Sequence, residues 1–373
     1  MVSLLPQSRA FTLVEMLVSL TVLSLMMLFL FSIVALVSSD WKASAAYSNE
    51  FQEAQDAFND MTRHLSEATL NTYSDYNYTS SSTAPPTYVR QSELRFITGP
   101  ATTLLSGVNS QPHPTHAMFF IAPLGSSSSC SGLPNLLNTC GYYIEYNNNS
   151  TSEPAFLASI TSAVRSRDRL MEMIVPSESM TIYKYTSGPT PIPTAGPNCL
   201  TYSGYTWFTD GFSLTPSPTH ILAENVIALI ILPRLTSYSV DSTGTTTVAA
   251  TALAPTYSYD SSPTPTFTAP VLSTDPNAAI LNWKNQVPPL VQVTLVAMDE
   301  ASALRQPAGD VITNLGLTSL FQSAGSLTDP TQAGYAQDMQ TLKNALTAKK
   351  INYRVFSTTV AIKSANWSTS ETN

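Results

Sequence analysis

Phe11-Thr12-Leu13-Val14-Glu15 opens an apolar run, FTLVEMLVSLTVLSLMMLFLFSIVALV, that extends to Val37. Glu15 is its single ionisable residue, and it contains neither Gly nor Pro. More than ~20 consecutive apolar residues are enough to cross a bilayer as a helix, which satisfies its own backbone hydrogen bonds. Secretory signal peptides carry apolar cores of only ~7–15 residues, so the run reads as a membrane helix instead. A carboxylate near the start of such a helix is costly unless it reaches the headgroups or finds a partner. The only charged side chain before it is Arg9.

Beyond Val37 the pattern turns amphipathic. Trp41, Ala45, Phe51, Ala54, Phe58, Met61, Leu65 and Ala68 recur at helical spacing. Glu50, Glu53, Asp56, Asp60 and Arg63 fall on the other face. One continuous helix is therefore expected from about Phe11 to Leu70, roughly 90 Å long at 1.5 Å per residue. No kink is expected, because the apolar part contains no Pro, with Ser32 in its second half.

The block Arg9-Ala10-Phe11-Thr12-Leu13-Val14-Glu15 with its apolar continuation resembles the N-terminal signal of type IV pilins and type II secretion pseudopilins. The resemblance covers about the first 30 residues. It implies a leader, residues 1–10, ending at Ala10 where the family usually has Gly. It further implies cleavage by prepilin peptidase between Ala10 and Phe11, and N-methylation of Phe11. Glu15 becomes the fifth mature residue, the family's acid for processing and assembly, pairing with the terminal amine of a neighbouring subunit. A buried charge is expensive alone and tolerable when paired, so cleavage creates the partner that Glu15 needs. Loss of the leader removes Arg9 and leaves 16 basic and 25 acidic residues. The implied plan is a transmembrane and filament-core helix over 11–37, its amphipathic continuation over 38–70, and a head over 71–373. The implied location is the inner membrane, single-pass, with the N-terminus cytoplasmic and the head periplasmic or on a cell-surface filament. The implied partners are prepilin peptidase and other pilin or pseudopilin subunits.

The head reads as β-rich. Ser92–Thr98, Ala117–Ala122, Gly141–Tyr146, Ser179–Tyr185, Glu224–Leu232, Leu290–Met298 and Asn352–Lys363 are rich in Val, Ile, Tyr, Phe and Thr and are often bounded by turn residues. Ser187–Pro197 and Ser237–Asp275 read as exposed Pro- and Ser/Thr-rich loops, with a short hairpin near Tyr238–Ala250. Tyr335–Lys349 predicts a helix with Met339, Leu342, Leu346 and Ile351 on one face, and Val311–Ser323 is an ambiguous helix. The fold class is thus α+β: a long N-terminal helix carrying a mainly antiparallel β-rich head with long loops. The blocks His220–Arg234, Pro288–Glu300 and Lys350–Val360 are similar in order to the head of J-type minor pseudopilins, and more closely to the Verru_Chthon cassette protein C family.

Charged residues make up 11% of the chain, under half the usual quarter, and Ser and Thr make up about a quarter of it. The net charge of −8 argues against nucleic-acid binding, which needs a basic face. Of three cysteines, Cys130 and Cys140 flank a short loop and are the expected disulfide in an oxidising compartment, with Cys199 left over.

No catalytic constellation is recognisable: HExxH, phosphate-loop and GxSxG signatures are absent from the sequence. His113-Pro114-Thr115-His116 reads as a polar loop, with no metal site or cofactor expected. Arg165, Arg167, Asp168 and Arg169 read as a solvated charged face, and Asp299-Glu300 as a solvated turn. The favoured reading is a minor pilin-like or pseudopilin-like structural subunit and not an enzyme. The alternative is a singly anchored periplasmic or surface binding protein that uses the signal without filament assembly.

Overall fold

The computed structural model describes residues 12–76, 88–148, 165–180, 207–234, 253–262, 266–267, 283–324 and 333–367. The chain divides into two compact units, Met1–Glu50 and Phe51–Asn373.

Helix α1 (Leu13–Ser66) forms the described part of the first unit and enters the second. Its bounds lie close to those predicted. Leu13–Ser38 has a mean hydropathy of 2.7 and none of it is buried, so it is long and apolar enough to cross a membrane. Trp41 is 77% exposed.

In the second unit the predicted stripe is buried: Phe51, Ala54, Phe58, Met61 and Leu65 all enter the core. Arg63 and His64 occupy the last turn of α1, where cations meet the negative end of the helix dipole. The helix end is tied down from afar. The Lys363 N–H donates to the Ser66 carbonyl (3.0 Å), and Ser364 Oγ donates to the Ala68 carbonyl (2.6 Å). Carbonyls that the helix itself leaves orphaned are thereby satisfied.

The head is mainly antiparallel. A six-stranded sheet has the order β7-β6-β5-β4-β3-β9, formed by β3 (Ile97–Pro100), β4 (His116–Pro123), β5 (Leu137–Asn147), β6 (Arg167–Val175), β7 (Thr219–Glu224) and β9 (Tyr259–Asp260). A three-stranded sheet joins β11 (Tyr353–Ala361), β10 (Leu290–Met298) and β8 (Val226–Arg234) in that order. A small ribbon pairs β1 (Tyr73–Tyr76) with β2 (Tyr88–Gln91). Short helices α2 (Ala101–Leu104), α3 (Trp207–Asp210), α4 (Glu300–Ala303) and α5 (Val311–Asn314) decorate the loops, and α6 is the long one (Ala333–Ala348).

Strands β8 and β10 of the three-stranded sheet are buried on both faces, whereas the edge strand β11 is largely exposed. In β8, Val226, Leu229 and Ile231 join the core shared with α1, while Ile227, Ile230 and Leu232 join a second core. Met339, Leu342 and Leu346 of α6 supply the other side of that second core. Double burial explains why β8 reads as an unbroken apolar run where a half-buried strand would alternate. In the larger sheet Gly141 lies opposite Phe119, and a Cβ there would come within 2.4 Å of the Phe119 ring. Glycine lets the aromatic ring cover the strand.

Several expectations need correction. Strand β6 was not anticipated, because its opening charges had been read as a surface. Only Val311–Asn314 of the ambiguous stretch Val311–Ser323 forms regular helix. Ser177–Ser179 forms a 3-10 turn where a strand was expected to begin, and 181–185 lie outside the described residues. Part of the supposedly exposed stretch Ser237–Asp275 is core: Leu253, Tyr257, Tyr259 and Asp260 are buried. Tyr259 packs against Phe96 and Trp283, which explains its burial. Ser187–Pro197 and the hairpin near Tyr238–Ala250 lie outside the described residues.

Candidate functional site

Two places in the chain bring chemistry-bearing side chains together. The first is the start of α1. Thr12 precedes the helix, and its Oγ1 accepts a hydrogen bond from the Glu15 N–H (3.3 Å). The same hydroxyl donates to Glu15 Oε2 (3.4 Å). Thr before the helix and Glu three residues on match the capping-box sequence, and the Thr12 hydroxyl satisfies one backbone donor that a helix start leaves open. Glu15 also lies where the positive end of the dipole favours an anion. Both residues are exposed, as is the apolar surface that follows. Arg9, Ala10 and Phe11 lie outside the described residues.

The second place is a polar centre inside the head, where α1 crosses β5 and β6. Tyr142 and Glu172 are direct cross-strand partners and therefore project from the same face. The Tyr142 hydroxyl donates to Glu172 Oε1 and lies 2.7 Å from His64 Nδ1. His64 Nδ1 is 3.4 Å from Glu172 Oε1. Arg63 Nη2 lies 3.1 Å from His64 Nε2, so it donates there and the ring proton sits on Nδ1. From the other side His220 Nε2 reaches Glu172 Oε2 at 2.7 Å. Cys140 is fully buried beside them and shares a hydrogen bond with the Tyr142 hydroxyl.

The electrostatics follow from that wiring. Burial raises the Glu172 carboxyl, but the hydrogen bonds from His220, His64 and Tyr142 outweigh it and hold the group down at about 2. Glu172 in turn raises the half-exposed His220. Burial pushes the Cys140 thiol and the Tyr142 phenol well up.

Other residues singled out in the sequence fall differently from expectation. Cys130 and Cys140 are both free thiols, so the expected pairing is not formed. Glu178 Oε1 gathers the Ser128 and Ser129 N–H groups (2.6 and 2.7 Å) and fixes the loop that holds Cys130 at the surface. Cys140 meanwhile points inward from β5. Cys199 lies outside the described residues.

His113 and His116 do not form a polar loop; both are buried. His116 Nδ1 accepts from the Ile231 N–H (3.2 Å) and Nε2 donates to the Phe321 carbonyl (3.1 Å), which fixes a neutral ring between β8 and the α5–α6 connection. Asp168 and Arg169 are likewise buried, so half of the expected solvated face turns inward, while Arg165 is exposed as expected and Arg167 is part-buried. Arg167 bridges Glu224 (3.1 Å) and Glu300, and Arg169 reaches Glu224 (3.2 Å). Asp299 is a buried N-cap for α4, with Oδ1 accepting from the Ser302 N–H (2.9 Å), so neither acid of that pair is a solvated turn. Asp168 borders a cleft of about 310 Å³ with Tyr146, Arg165, Leu304 and Gly309.

Residues 5–31 match the family model of the prokaryotic N-terminal methylation motif. The chain therefore carries a pilin-type N-terminal signal. Comparison with curated proteins and with solved structures finds no match. The matched segment contains Arg9, Ala10, Phe11 and Glu15 and ends inside the apolar part of α1. His64, Glu172 and His220 escaped the sequence reading, because strand register and the landing of α1 on the sheet unite them and no motif spacing announces them.

Proposed function

We propose that this chain is a minor pilin-like or pseudopilin-like structural subunit. The observation that carries the reading is the methylation motif at residues 5–31, laid over an exposed apolar helix whose one charge is Glu15. In this reading prepilin peptidase cuts after Ala10, Phe11 becomes an N-methylated terminus, and Leu13–Ser38 first anchors the precursor in the inner membrane. The leader with Arg9 stays cytoplasmic and the head is periplasmic. On assembly the apolar helix moves from lipid into a filament core of similar polarity, so little hydrophobic free energy is lost. Glu15 is then compensated by a neighbour's terminal amine.

A large head favours a minor role, initiating, capping or decorating a filament, over the repeated packing of a major subunit. The three-stranded sheet β11-β10-β8 is built from the sequence blocks that resemble J-type minor pseudopilins and the Verru_Chthon cassette protein C family, and membership of that kind is part of the proposal.

The test is intact and N-terminal peptide mass spectrometry on the membrane-associated native protein. A chain beginning at N-methyl-Phe11 is the expected result. A chain beginning at Met1 would leave an ordinary single-pass anchor, and filament assembly would lose its main support. A start near Ser39 would overturn the pilin reading altogether.

A further inference from the structure

The donor set at the centre of the head is unusual for a packed core. His64 Nδ1, Cys140 Sγ and a carboxylate oxygen of Glu172 all lie within 4.8 Å of one another, and all three residues are buried. Ligand atoms around a tetrahedral zinc ion, bound at ~2.0–2.3 Å, are ~3.3–3.8 Å apart. The His64–Glu172 separation of 3.4 Å already meets that spacing. We propose that His64, Cys140 and Glu172 form a binding site for a borderline divalent transition cation, zinc by its ligand chemistry, with His220 or the Tyr142 hydroxyl completing the set.

Four features support it. The donors are one imidazole nitrogen, one sulfur and one carboxylate oxygen, the mixture that suits zinc and not calcium or magnesium, which take oxygen ligands. Charge closes: a thiolate and a carboxylate neutralise a dication, so the site adds no net charge to the interior. An outer shell exists, since Asp60 Oδ1 stands 3.8 Å from His64 Nε2, placed to accept a hydrogen bond from an N–H there once Nδ1 binds the cation. An entry path exists too, because His220 is half-exposed while its Nε2 touches Glu172 Oε2 at 2.7 Å.

The exchange balances simply. The cation–sulfur bond forms as the Cys140 thiol proton leaves to solvent, and His220, where it ligates, gives up the Nε2 proton it shares with Glu172 and keeps one on Nδ1. The His64 ring keeps one proton, which moves from Nδ1 to Nε2, and Arg63 gives up its hydrogen bond there. No oxidant or reductant is involved. The inference concerns the head alone and stands apart from the fate of the N-terminus.

The experiment is a cobalt(II) titration of the full chain in detergent, followed by competition with zinc. Saturation at one equivalent is expected, with a thiolate-to-cobalt charge-transfer band, tetrahedral ligand-field bands, and loss of both on adding one equivalent of zinc. Cys130→Ser combined with Cys199→Ser should keep the band, and Cys140→Ser should abolish it. If Cys140→Ser fails to fold, the variant lacking the other two cysteines decides alone. Absence of a thiolate band in the wild-type chain, or its loss when Cys130 and Cys199 are replaced, would overturn the proposal.

Discussion

Arg95 and Asp260, 165 residues apart in the chain, lock together by two parallel hydrogen bonds, Nε to Oδ1 at 2.8 Å and Nη2 to Oδ2 at 2.6 Å. Both are almost wholly buried. The pair joins the start of β3 to β9, and Asp260 also takes the Ser262 N–H at 3.0 Å. Two-point geometry fills the carboxylate's acceptor sites, which is the condition under which a buried ion pair is tolerable.

Removing one partner leaves an uncompensated interior charge. Asp260→Ala should therefore cost about 3–5 kcal/mol of head stability. The double variant Arg95→Met with Asp260→Leu should cost less than either single change, because no charge remains buried. Chemical denaturation followed by tryptophan fluorescence would measure it. Additive losses in the double variant would refute the account.

The legibility of the fold divides along physical lines. The helix was readable because its stripe from Phe51 to Leu65 keeps one period throughout. Strand β8 stands out because burial on both faces makes it continuously apolar, and β10 is apolar apart from Gln292 and Thr294. Strand β6 was hidden because it carries Arg167, Asp168, Arg169 and Glu172 into the interior, where each finds a distant partner. Strand β9 sits in a Ser/Thr/Pro-rich stretch, and its distant partners Arg95, Phe96 and Trp283 reveal why it is buried. The methylation motif at residues 5–31 is local in sequence, so its presence was readable without the fold. The cluster of His64, Cys140 and Glu172 depends on register between β5 and β6 and on where α1 lands, which no spacing in the chain encodes.

Acid should weaken the head through His116. Burial pushes this imidazole from 6.5 to about 4, and its two hydrogen bonds require the neutral ring. Below 6.5 the unfolded chain takes up a proton that the folded one refuses, so stability falls as the pH drops from 6.5 toward 4. The full displacement is worth about 3 kcal/mol. His116→Gln can keep both hydrogen bonds without titrating. Its denaturation midpoint should therefore vary less than the wild-type value across that window. An unchanged pH dependence would exclude His116 as the cause.

Asp168 should act in the opposite direction. Burial raises its carboxyl from 3.8 to about 7, despite the hydrogen bond from the Val311 N–H at 3.0 Å, and Asp310 adds repulsion. Its Oδ1 finds no hydrogen-bond partner. The folded state holds a proton there that the unfolded state has lost, so its contribution is full below 3.8 and vanishes as the pH rises through about 7. Asp168→Asn removes that loss. The variant should be more stable than wild type at pH 8, by about 1–3 kcal/mol, with the gain disappearing near pH 4. Melting curves at the two pH values would show it. An equal effect at both would mean packing, not ionisation, decides the outcome.

Glu15 does two jobs that a charge-neutral variant can separate. Its backbone N–H is bonded to Thr12 Oγ1, and its carboxylate meets the same hydroxyl, so it belongs to the helix cap. In the proposed filament the carboxylate must also meet a neighbour's terminal amine. Glu15→Gln keeps the capping geometry, since Gln serves at this position of a capping box. It removes the charge that the amine would require. Assembly should therefore fail in Glu15→Gln as fully as in Glu15→Ala, while both variants remain membrane-inserted. A chain that cannot be cleaved lacks the free amine, so adding Glu15→Gln to it should cost nothing further. Cross-linking of neighbouring subunits in membranes would read out assembly, and fractionation would read out insertion. If Glu15→Gln assembles normally and only Glu15→Ala fails, the residue acts as a helix cap, and the paired-charge account of assembly is wrong.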